Sequence, residues 1–583
     1  MLSGPDRARP PRRWLALAAL GLLLEASGLF AFRGWGSLWR FERMDQHRFT
    51  AMSLLHGVMR IRGSILHVGH DDQVWNGAGY TNWSYGVPLL QAPFHALLGR
   101  VASLHGFFPD RAIYFLYFSA FVPVLWAAFD RAFAGWLADA PPRRHALSCA
   151  ATWATLTSAL YPLMCGRFLI YEETLCYFEI CELLALSAYV FARGSRGIAS
   201  TLGLATAAGF GLLVRPTGAL YLGVWGALVA LERRPKRTLA FAVAVTPFVG
   251  FWLFSNLART GSVLGLGYGN TNPDFDYQIA LHRFGSLCID SAPHALSAAE
   301  RLFAGFFVYV STSGDRWLDA CNFTFERRSA NHLPFFDPVV PLVLGWMLVH
   351  DARARRLRLA LCVPYAAMVF LFVLFVQRGQ EFAWRYTADF WPLVALAAVL
   401  WVQDAPRPTR RADVPIALFL AVWGTVSLLR FVEPWDPSAS PPELLSEAAT
   451  ATIAEDFHAS LWDRDAPAPA RLSCGEPVVA FYKNGKGWRD DCAVDTYTNV
   501  YLGVPAKADD HYRIRLQAEG VASPALRVYV NGQTYTARGK DGLYEADVTI
   551  PRASLVSPIV LATIEWARAL EPPKVLLRWI ELD

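Results

Sequence analysis

Long apolar blocks recur along most of this chain, and they constrain its fold more than any other feature of the sequence. Each block is about 16 to 22 residues long, close to the roughly 20 residues that an α-helix needs to cross a hydrocarbon core of about 30 Å. Only 18% of the 583 residues are charged, against roughly a quarter in soluble proteins. The sequence therefore predicts a polytopic α-helical membrane protein with about eleven transmembrane helices. The predicted spans are 14–34, 111–134, 147–164, 173–192, 197–214, 216–231, 238–257, 335–350, 359–377, 386–403 and 413–431.

Clusters of arginine predict the orientation of these spans, because an excess of Lys and Arg marks cytoplasmic loops. Such clusters precede the first span and recur in alternate loops, so the N-terminus is predicted to be cytoplasmic and the C-terminus external. Two of the outer loops are long, 35–110 and 258–334. The first is predicted to contain short helices at 46–57 and 86–100, and long loops with internal structure are commonly functional.

The composition changes after the last predicted span. Prolines punctuate a polar stretch, which predicts a linker over 436–473. From 474 to 583 polar and apolar residues alternate, and Asn531-Gly532 is a strong signal for a two-residue hairpin turn. The sequence therefore predicts a transmembrane domain over 1–435 and an external all-β sandwich domain over 474–583, which we expect to assist acceptor engagement without performing the chemistry.

Four cysteines lie in segments predicted to be external, where an oxidising compartment permits disulfides. Cys474 and Cys492 belong to the predicted β domain and are a candidate pair. Cys288 and Cys321 share the fourth outer loop and are a second candidate pair.

An acidic residue, Asp45, stands just beyond the first predicted span. One interpretation is structural, since Asp readily caps the N-terminus of a helix. The other is functional, because a carboxylate at the lip of a membrane domain can act as a general base towards a substrate at the surface. The two interpretations are compatible, since a capping position also fixes the direction of the carboxylate.

Further acidic residues lie in and beside the spans. Glu172 and Glu173 begin the fourth span, where the helix dipole favours them; the functional alternative is that one of them joins Asp45 in the same pocket. Glu179 and Glu182 lie deeper in that span, where an ionisable residue is costly and usually faces a cavity or a partner.

Three arginines, Arg215, Arg378 and Arg385, are predicted on the outer side, against the general charge bias. One interpretation is that they snorkel to the membrane interface. The other is that they bind a phosphate, since the planar guanidinium can bond two phosphate oxygens at once. Arg385 is the first choice, because Tyr386 and Asp389 surround it at the mouth of the tenth span.

Several segments resemble those of the GT-C glycosyltransferases, and they fall in the same order along the chain. The first outer loop of that family carries an acidic motif just after the first span and a later proline-containing segment. Gln46 stands where the family often has a second acidic residue. The segments that carry the resemblance are Asp45 to Gly57, Tyr80 to Gln91, Gly211 to Gly218, Asn256 to Tyr268 and Trp384 to Leu393.

The resemblance implies an enzyme that moves a hexose or pentose from a polyprenyl-phosphate carrier to an acceptor, similar to the protein mannosyltransferase and aminoarabinose transferase types. It implies Asp45 as general base, a second acid at Glu173, and phosphate contacts from the three outer arginines. A divalent cation, Mg²⁺ or Mn²⁺, is left open, and no metal ligands are predicted. The implied substrate-pocket residues are Glu172, His47, Tyr80, Trp83 and Tyr386.

Two functions therefore remain from sequence. The first is a glycosyltransferase in a bacterial cytoplasmic membrane, acting on a glycan, lipid or protein acceptor of the cell envelope, with no role for nucleic acid. The second is a transporter or flippase of a lipid-linked sugar, in which acids inside the spans are substrate or coupling sites. Against the second function, the sequence shows no internal repeat of the kind that many transporters have.

Overall fold

The structure is a computed structural model, and it describes most of the helical region between residues 46 and 265 and most of the C-terminal region. The described residues are 21, 38–39, 41, 46–63, 72–99, 106–160, 170–193, 197–265, 316–319, 324–327, 391–404, 413–432, 446–462, 468–474, 492–494, 497–507, 509–521, 524–565 and 575–583.

Helices dominate the described residues up to 462. Two of the helices end in a π-helical turn: the helix Gly86–Phe94 continues into His95–Gly99, and the helix Pro141–Thr155 continues into Leu156–Leu160. The helices are α1 (Gln46–Leu55), α2 (Gly86–Phe94), α3 (Asp110–Phe133), α4 (Pro141–Thr155), α5 (Ile170–Ala192), α6 (Ala199–Val214), α7 (Gly218–Leu231), α8 (Pro235–Thr260), α9 (Trp391–Asp404), α10 (Asp413–Val432) and α11 (Glu447–Trp462).

Three helical segments in the described part of the chain are long and apolar enough to cross a membrane: Asp110–Phe133, Glu173–Ala192 and Pro235–Thr260. At 1.5 Å per residue they measure about 36, 30 and 39 Å, which matches the thickness of a hydrocarbon core. Four shorter apolar helices, α6, α7, α9 and α10, accompany them. Several apolar helices thus agree with the predicted membrane protein, while the predicted count of eleven stays a prediction, since spans such as 335–350 and 359–377 fall outside the described residues.

The chain divides into two compact units, and both are discontinuous in sequence. The first contains residues 1–45, 93–250 and 299–447, and the second contains 46–92, 251–298 and 448–583. The linear division predicted at residues 435 and 473 stays a prediction. Within the predicted linker the structure has a helix of 16 residues, α11, which the sequence analysis did not anticipate.

Helix α5 forms the centre of the first unit, where it packs against α3 and α6. Its Glu182 is fully buried and accepts a hydrogen bond of 2.8 Å from Nε1 of Trp225 in α7. The same carboxyl group lies against Gly211 of α6, so closely that a Cβ atom on this glycine would stand 2.1 Å from Oε1 of Glu182. A buried acid and a helical glycine therefore fit together between these three helices.

We expect Gly211→Ala to destabilise the first unit by about 1–3 kcal/mol, the usual cost of overpacking a tight interior. Gly223→Ala in α7 is the matched control, because no atom lies within 4 Å of a Cβ atom placed there. Thermal unfolding in detergent should show a lower midpoint for the first variant and little change for the second. Equal midpoints for the two variants would contradict the close fit of Glu182 against α6.

Helices α4 and α10 run parallel to each other in the first unit. At their first turns, Nε of Arg143 donates to Oδ2 of Asp413 at 2.8 Å. Further along, Nε1 of Trp153 donates to Oγ1 of Thr425 at 3.3 Å. The two helices therefore begin on the same side, which agrees with the arginine pattern that predicts a cytoplasmic start for both.

The second unit contains a large antiparallel sheet formed by the C-terminal region. Its strands follow the order β5-β13-β8-β11-β10-β9-β12-β7, with the short β6 paired to β13. These strands are β5 (Arg471–Ser473), β6 (Ala493–Val494), β7 (Tyr497–Gly503), β8 (His511–Glu519), β9 (Ala525–Val530), β10 (Gln533–Lys540), β11 (Leu543–Thr549), β12 (Ile559–Glu565) and β13 (Val575–Leu582).

The all-β character predicted for this region is confirmed, but the strands form one continuous sheet and not the two separate sheets of a sandwich. The reason is that the pairing has no break in the middle: β10 pairs with both β11 and β9, and β9 also pairs with β12. The ends of the sheet approach each other, since Gly503 N–H donates to the Pro469 carbonyl at 3.0 Å, so the sheet is barrel-like. Its core consists of alternating apolar residues such as Ile514, Val528 and Ile580, all fully buried.

Local signals in this region are confirmed. Asn531 and Gly532 both have positive φ, 47° and 76°, as a two-residue hairpin turn of type I′ requires. The turn Asp541-Gly542 has the same form. Cys474 and Cys492 form the predicted disulfide, whereas Cys288 and Cys321 lie outside the described residues.

The second unit also contains a hairpin from the predicted first outer loop, β1 (Asp72–Trp75) and β2 (Ala78–Thr81). Its turn, Asn76-Gly77, has φ values of 49° and 70°. The predicted short helices on either side of this hairpin are present as α1 and α2. In the first unit, β3 (Arg316–Asp319) pairs with β4 (Thr324–Arg327) as a further hairpin, within the predicted fourth outer loop.

Candidate functional site

The second unit brings together three segments that the sequence analysis singled out: α1, the block from Tyr80 to Gln91, and the end of α8. Helix α1 is short and two of its hydroxyl side chains bond back to its own carbonyls: Thr50 to Gln46 at 2.7 Å and Ser53 to Phe49 at 3.0 Å. These bonds give the buried hydroxyl groups their hydrogen-bond partners within the helix itself. Helix α1 can therefore be buried on most sides despite its polar sequence.

His47 and Trp83 meet at the centre of this arrangement. Their rings lie edge to face with centroids 6.3 Å apart. His47 is fully buried, and Trp83 is 7% exposed. The local turn at Trp83 is fixed by a hydrogen bond of 3.0 Å from its backbone N–H to Oγ1 of Thr81. Two residues predicted for the substrate pocket are thus in contact.

Arg259, near the end of α8, holds the segment that carries Trp83. Its Nη1 donates hydrogen bonds to three successive backbone carbonyls, those of Thr81 (3.3 Å), Asn82 (3.2 Å) and Trp83 (2.7 Å). Its Nη2 donates to Oδ1 of Asn256 at 2.7 Å. A guanidinium offers five N–H donors in a fixed planar geometry, so one side chain can fix the course of the whole turn.

Tyr80 lies in β2, opposite Gln73 of β1. Burial raises the pKa of Tyr80 above its usual value, although the nearby Arg60 guanidinium acts in the opposite direction. Tyr85 is buried as well; its hydroxyl donates to the Met59 carbonyl at 2.8 Å, and burial raises its pKa too. Both phenols therefore stay protonated at neutral pH and can act as hydrogen-bond donors.

Buried polar side chains are concentrated around these residues. Buried polar groups usually serve a hydrogen-bonding network or a ligand, because their desolvation is costly otherwise. These side chains therefore form a polar interior in this part of the second unit. The side chains are His47, Arg48, Thr50, Ser53, Asp72, Gln73, Thr81, Asn82, Ser84, Gln91, Ser255, Asn256 and Arg259.

The other predicted site residues that the structure describes belong to the first unit. Glu173 starts the second candidate span and is 1% exposed, and Glu172 precedes it in α5. Arg215 is half-buried and stands between α6 and α7 in an extended conformation, with φ −149° and ψ 136°, as expected before Pro216. Its backbone N–H bonds to the Gly211 carbonyl at 2.9 Å, which closes the last turn of α6.

Four predicted site residues lie outside the described residues, and their assignments stay predictions: Asp45, Arg378, Arg385 and Tyr386. Among the residues that the structure does describe, no group of three or more His, Cys, Asp or Glu could hold a metal ion.

Two features of the site were missed from sequence. Arg259 lies in a segment that resembles the GT-C family. Its hydrogen bonds to three backbone carbonyls could not be predicted, because a single arginine near a helix end does not indicate its partners. The β1–β2 hairpin did have a signal, Asn76-Gly77, which is among the strongest short hairpin sequences.

No protein-family profile matches the chain, and no curated protein matches it. One solved structure to which the chain is similar is the cryo-EM structure of the arabinosyltransferase EmbB from Mycobacterium smegmatis. The identity is 12%, the TM-score is 0.27, and the match covers 100% of this chain and 65% of that chain. This chain thus spans about two thirds of the length of EmbB, and a likeness this distant assigns neither fold nor activity.

Proposed function

We propose that this protein is a membrane glycosyltransferase that moves a sugar from a polyprenyl-phosphate carrier to an acceptor hydroxyl on the outer face of a bacterial cytoplasmic membrane. The observation that carries the proposal is the convergence of separate segments. The two parts of the first outer loop that resemble the GT-C family pack against each other through His47 and Trp83. The start of the late outer loop joins them through Arg259.

In the proposed reaction, Asp45 removes the proton from the acceptor hydroxyl, and the resulting oxygen attacks the anomeric carbon of the sugar. The bond between that carbon and the carrier phosphate breaks, and the phosphate leaves with both bonding electrons. Arg385, Arg215 and Arg378 hold the charge that develops on it. Glu173, with Glu172 beside it, supplies the second acidic group of the pocket.

His47, Tyr80, Trp83 and Tyr386 are proposed to line the sugar pocket. An aromatic face such as that of Trp83 can pack on the apolar side of a sugar ring. The protonated hydroxyl of Tyr80 can donate a hydrogen bond to a sugar oxygen.

The parallel course of α4 and α10 supports the proposed topology, in which both helices begin on the cytoplasmic side and the C-terminus is external. In that position the C-terminal sheet would assist acceptor binding.

The alternative, a transporter or flippase, would use an acid inside the membrane as its substrate or coupling site. Glu182 is such an acid, but its carboxyl group is fully buried, bonded to Trp225 and packed against Gly211. This environment favours a role in helix packing over one in a substrate pathway.

Assaying the purified protein against a panel of polyprenyl-phosphate sugars tests the proposal directly. We expect transfer of one sugar class to an acceptor and release of polyprenyl phosphate. Reconstituted liposomes carrying the same donors separate the alternative, because a flippase would move the intact donor between leaflets. Movement of the donor with no release of polyprenyl phosphate would overturn the proposal.

We expect Arg385→Lys to weaken donor binding by roughly tenfold, because lysine keeps the charge but loses the bidentate geometry. The measurement is the donor dissociation constant of purified protein. Arg538→Lys is a matched control, since Arg538 is exposed on the C-terminal sheet. Donor affinity that is the same in all three proteins would assign Arg385 to interface snorkelling.

A further inference from the structure

The tip of the β1–β2 hairpin is bound by a second hairpin of the same turn type. Asn76 N–H donates to Oδ1 of Asn531 at 2.9 Å, and Nδ2 of Asn531 donates to Oδ1 of Asn76 at 3.0 Å. Asn531 is 5% exposed, and the reciprocal pair is partly buried. A matched pair of amide hydrogen bonds between two turns specifies both the position and the orientation of the hairpin.

The segment before β12 binds the rest of the Asn76-Gly77 turn. Val556 N–H donates to the Asn76 carbonyl at 2.7 Å, and Oγ of Ser557 donates to the Gly77 carbonyl at 2.7 Å. A Cβ atom on Gly77 would lie 2.3 Å from the Ser557 carbonyl oxygen. Gly77 also has a positive φ of 70°, so both the contact and the turn require glycine here.

Apolar contacts continue the same interface along β1. Val74 is 2% exposed and packs with Ile559 and Leu561 of β12, while Ala468 and Tyr501 border this cluster. These side chains extend the interface from the turn along β1. The hairpin is therefore held at its tip by polar contacts and along one strand by apolar contacts.

Strand β2 connects this interface to the candidate site. Its Tyr80 is paired with Gln73 in the hairpin, and the chain then enters the turn at Thr81 and Trp83 that Arg259 holds. On its other edge, Gly79 exchanges backbone hydrogen bonds with Ile61 (2.7 Å) and Arg62 (3.1 and 3.2 Å). The position of the hairpin thus sets where Tyr80 and Trp83 lie.

We propose that Asn531 is a positioning residue of the candidate site: through Asn76 and the β1–β2 hairpin, the C-terminal sheet fixes Tyr80 and Trp83 against His47. The sheet is then a structural part of the site and not only an aid to acceptor binding. Only the link to catalysis rests on the proposed glycosyltransferase function; the mechanical link between the sheet and the site does not.

Asn531→Gly tests the proposal in the full-length protein, because glycine keeps the positive φ of the turn and removes both side-chain hydrogen bonds. Asp541→Gly is the matched control, since Asp541 occupies the same position of a turn of the same type and is exposed. Asn76→Gly completes a double-mutant cycle, and the two glycine substitutions should not be additive.

Two measurements without substrate decide the mechanical link. Hydrogen–deuterium exchange of peptides over 72–85 should become about 10-fold faster in Asn531→Gly, as expected for losing two partly buried hydrogen bonds, and should not change in Asp541→Gly. Modification of His47 by diethyl pyrocarbonate, mapped by mass spectrometry, should rise towards that of the exposed His511. Unchanged exchange, or faster exchange with His47 still protected, would overturn the proposal.

The kinetic measurement addresses the link to catalysis. If the wild-type protein transfers sugar, Asn531→Gly should lower kcat about 10-fold. Its thermal unfolding midpoint should stay close to that of Asp541→Gly. An unchanged kcat together with faster exchange would overturn the positioning role. Failure of the wild-type protein to transfer any sugar would reject the proposed function, while the exchange and modification results would still decide whether the sheet holds the site.

Discussion

Replacing Asp45 with asparagine is expected to abolish sugar transfer while leaving expression and the thermal unfolding midpoint near those of the wild type. Loss of a positioned general base costs roughly 10²–10⁴ in rate. Asparagine preserves the size of the side chain and its ability to cap a helix, so α1, which starts at the next residue, should keep its place. The measurement is the transfer rate with the donor identified from the panel assay.

Two further substitutions separate catalysis from capping. Asp45→Ala removes both the carboxylate and the cap, so it should match the asparagine variant in rate and also lose about 1 kcal/mol of stability. Asp547→Asn is the control for the loss of one negative charge elsewhere in the protein, because Asp547 is exposed on the C-terminal sheet. If Asp45→Asn turns over like the wild type and only Asp45→Ala is impaired, Asp45 is a capping residue and not the base.

Features governed by neighbouring residues could be predicted from this sequence. The turns at Asn531-Gly532 and Asp541-Gly542, and the strands that flank them, depend on local backbone preference and on alternation of polar and apolar residues. The disulfide between Cys474 and Cys492 followed from their place in one segment that is predicted to be external. The spans that include α3, α5 and α8 followed from the length of their apolar blocks.

Features governed by distant residues could not be predicted. The Asn76-Gly77 sequence signals a turn, but nothing near it in the chain indicates that Asn531, 455 residues away, binds that turn. The continuous sheet depends on pairings between strands that are distant in sequence, such as β9 with β12 and β8 with β13, and strand order is a choice among many such pairings. Helix α11 lies within a proline-punctuated region, so composition indicated a linker although its own 16 residues contain no proline.

The candidate site shows the same division. The resemblance to GT-C motifs singled out His47, Tyr80 and Trp83 as predicted pocket residues, and the structure brings His47 and Trp83 into contact. Their mutual placement depends on Arg259, whose partners are backbone carbonyls. Since every residue has a carbonyl group, no sequence pattern marks the segment that an arginine will bind.

Replacing Arg259 with methionine is expected to release the turn at Thr81 to Trp83 and to lower the transfer rate by about 10²-fold or more. Methionine fills much of the same volume but leaves three buried carbonyls without their cationic donor. Hydrogen bonds to a charged group contribute about 1.5–3 kcal/mol each, and an unsatisfied buried acceptor carries its own desolvation cost. Arg259→Lys should give an intermediate result, because lysine has three donors but lacks the planar fork.

A matched control lies on the same helix. Arg237, near the start of α8, is also buried; its Nε donates to Oγ1 of Thr201 at 2.8 Å, and its guanidinium pairs with Glu232. Arg237→Met should therefore lower the thermal unfolding midpoint without changing hydrogen exchange over residues 79–85 or exposing His47 to diethyl pyrocarbonate. Arg259→Met should change both readouts before any substrate is added. If the two methionine variants differ from wild type only in midpoint, Arg259 stabilises α8 in general, and the placement of Trp83 against His47 must be set by the β1–β2 hairpin alone.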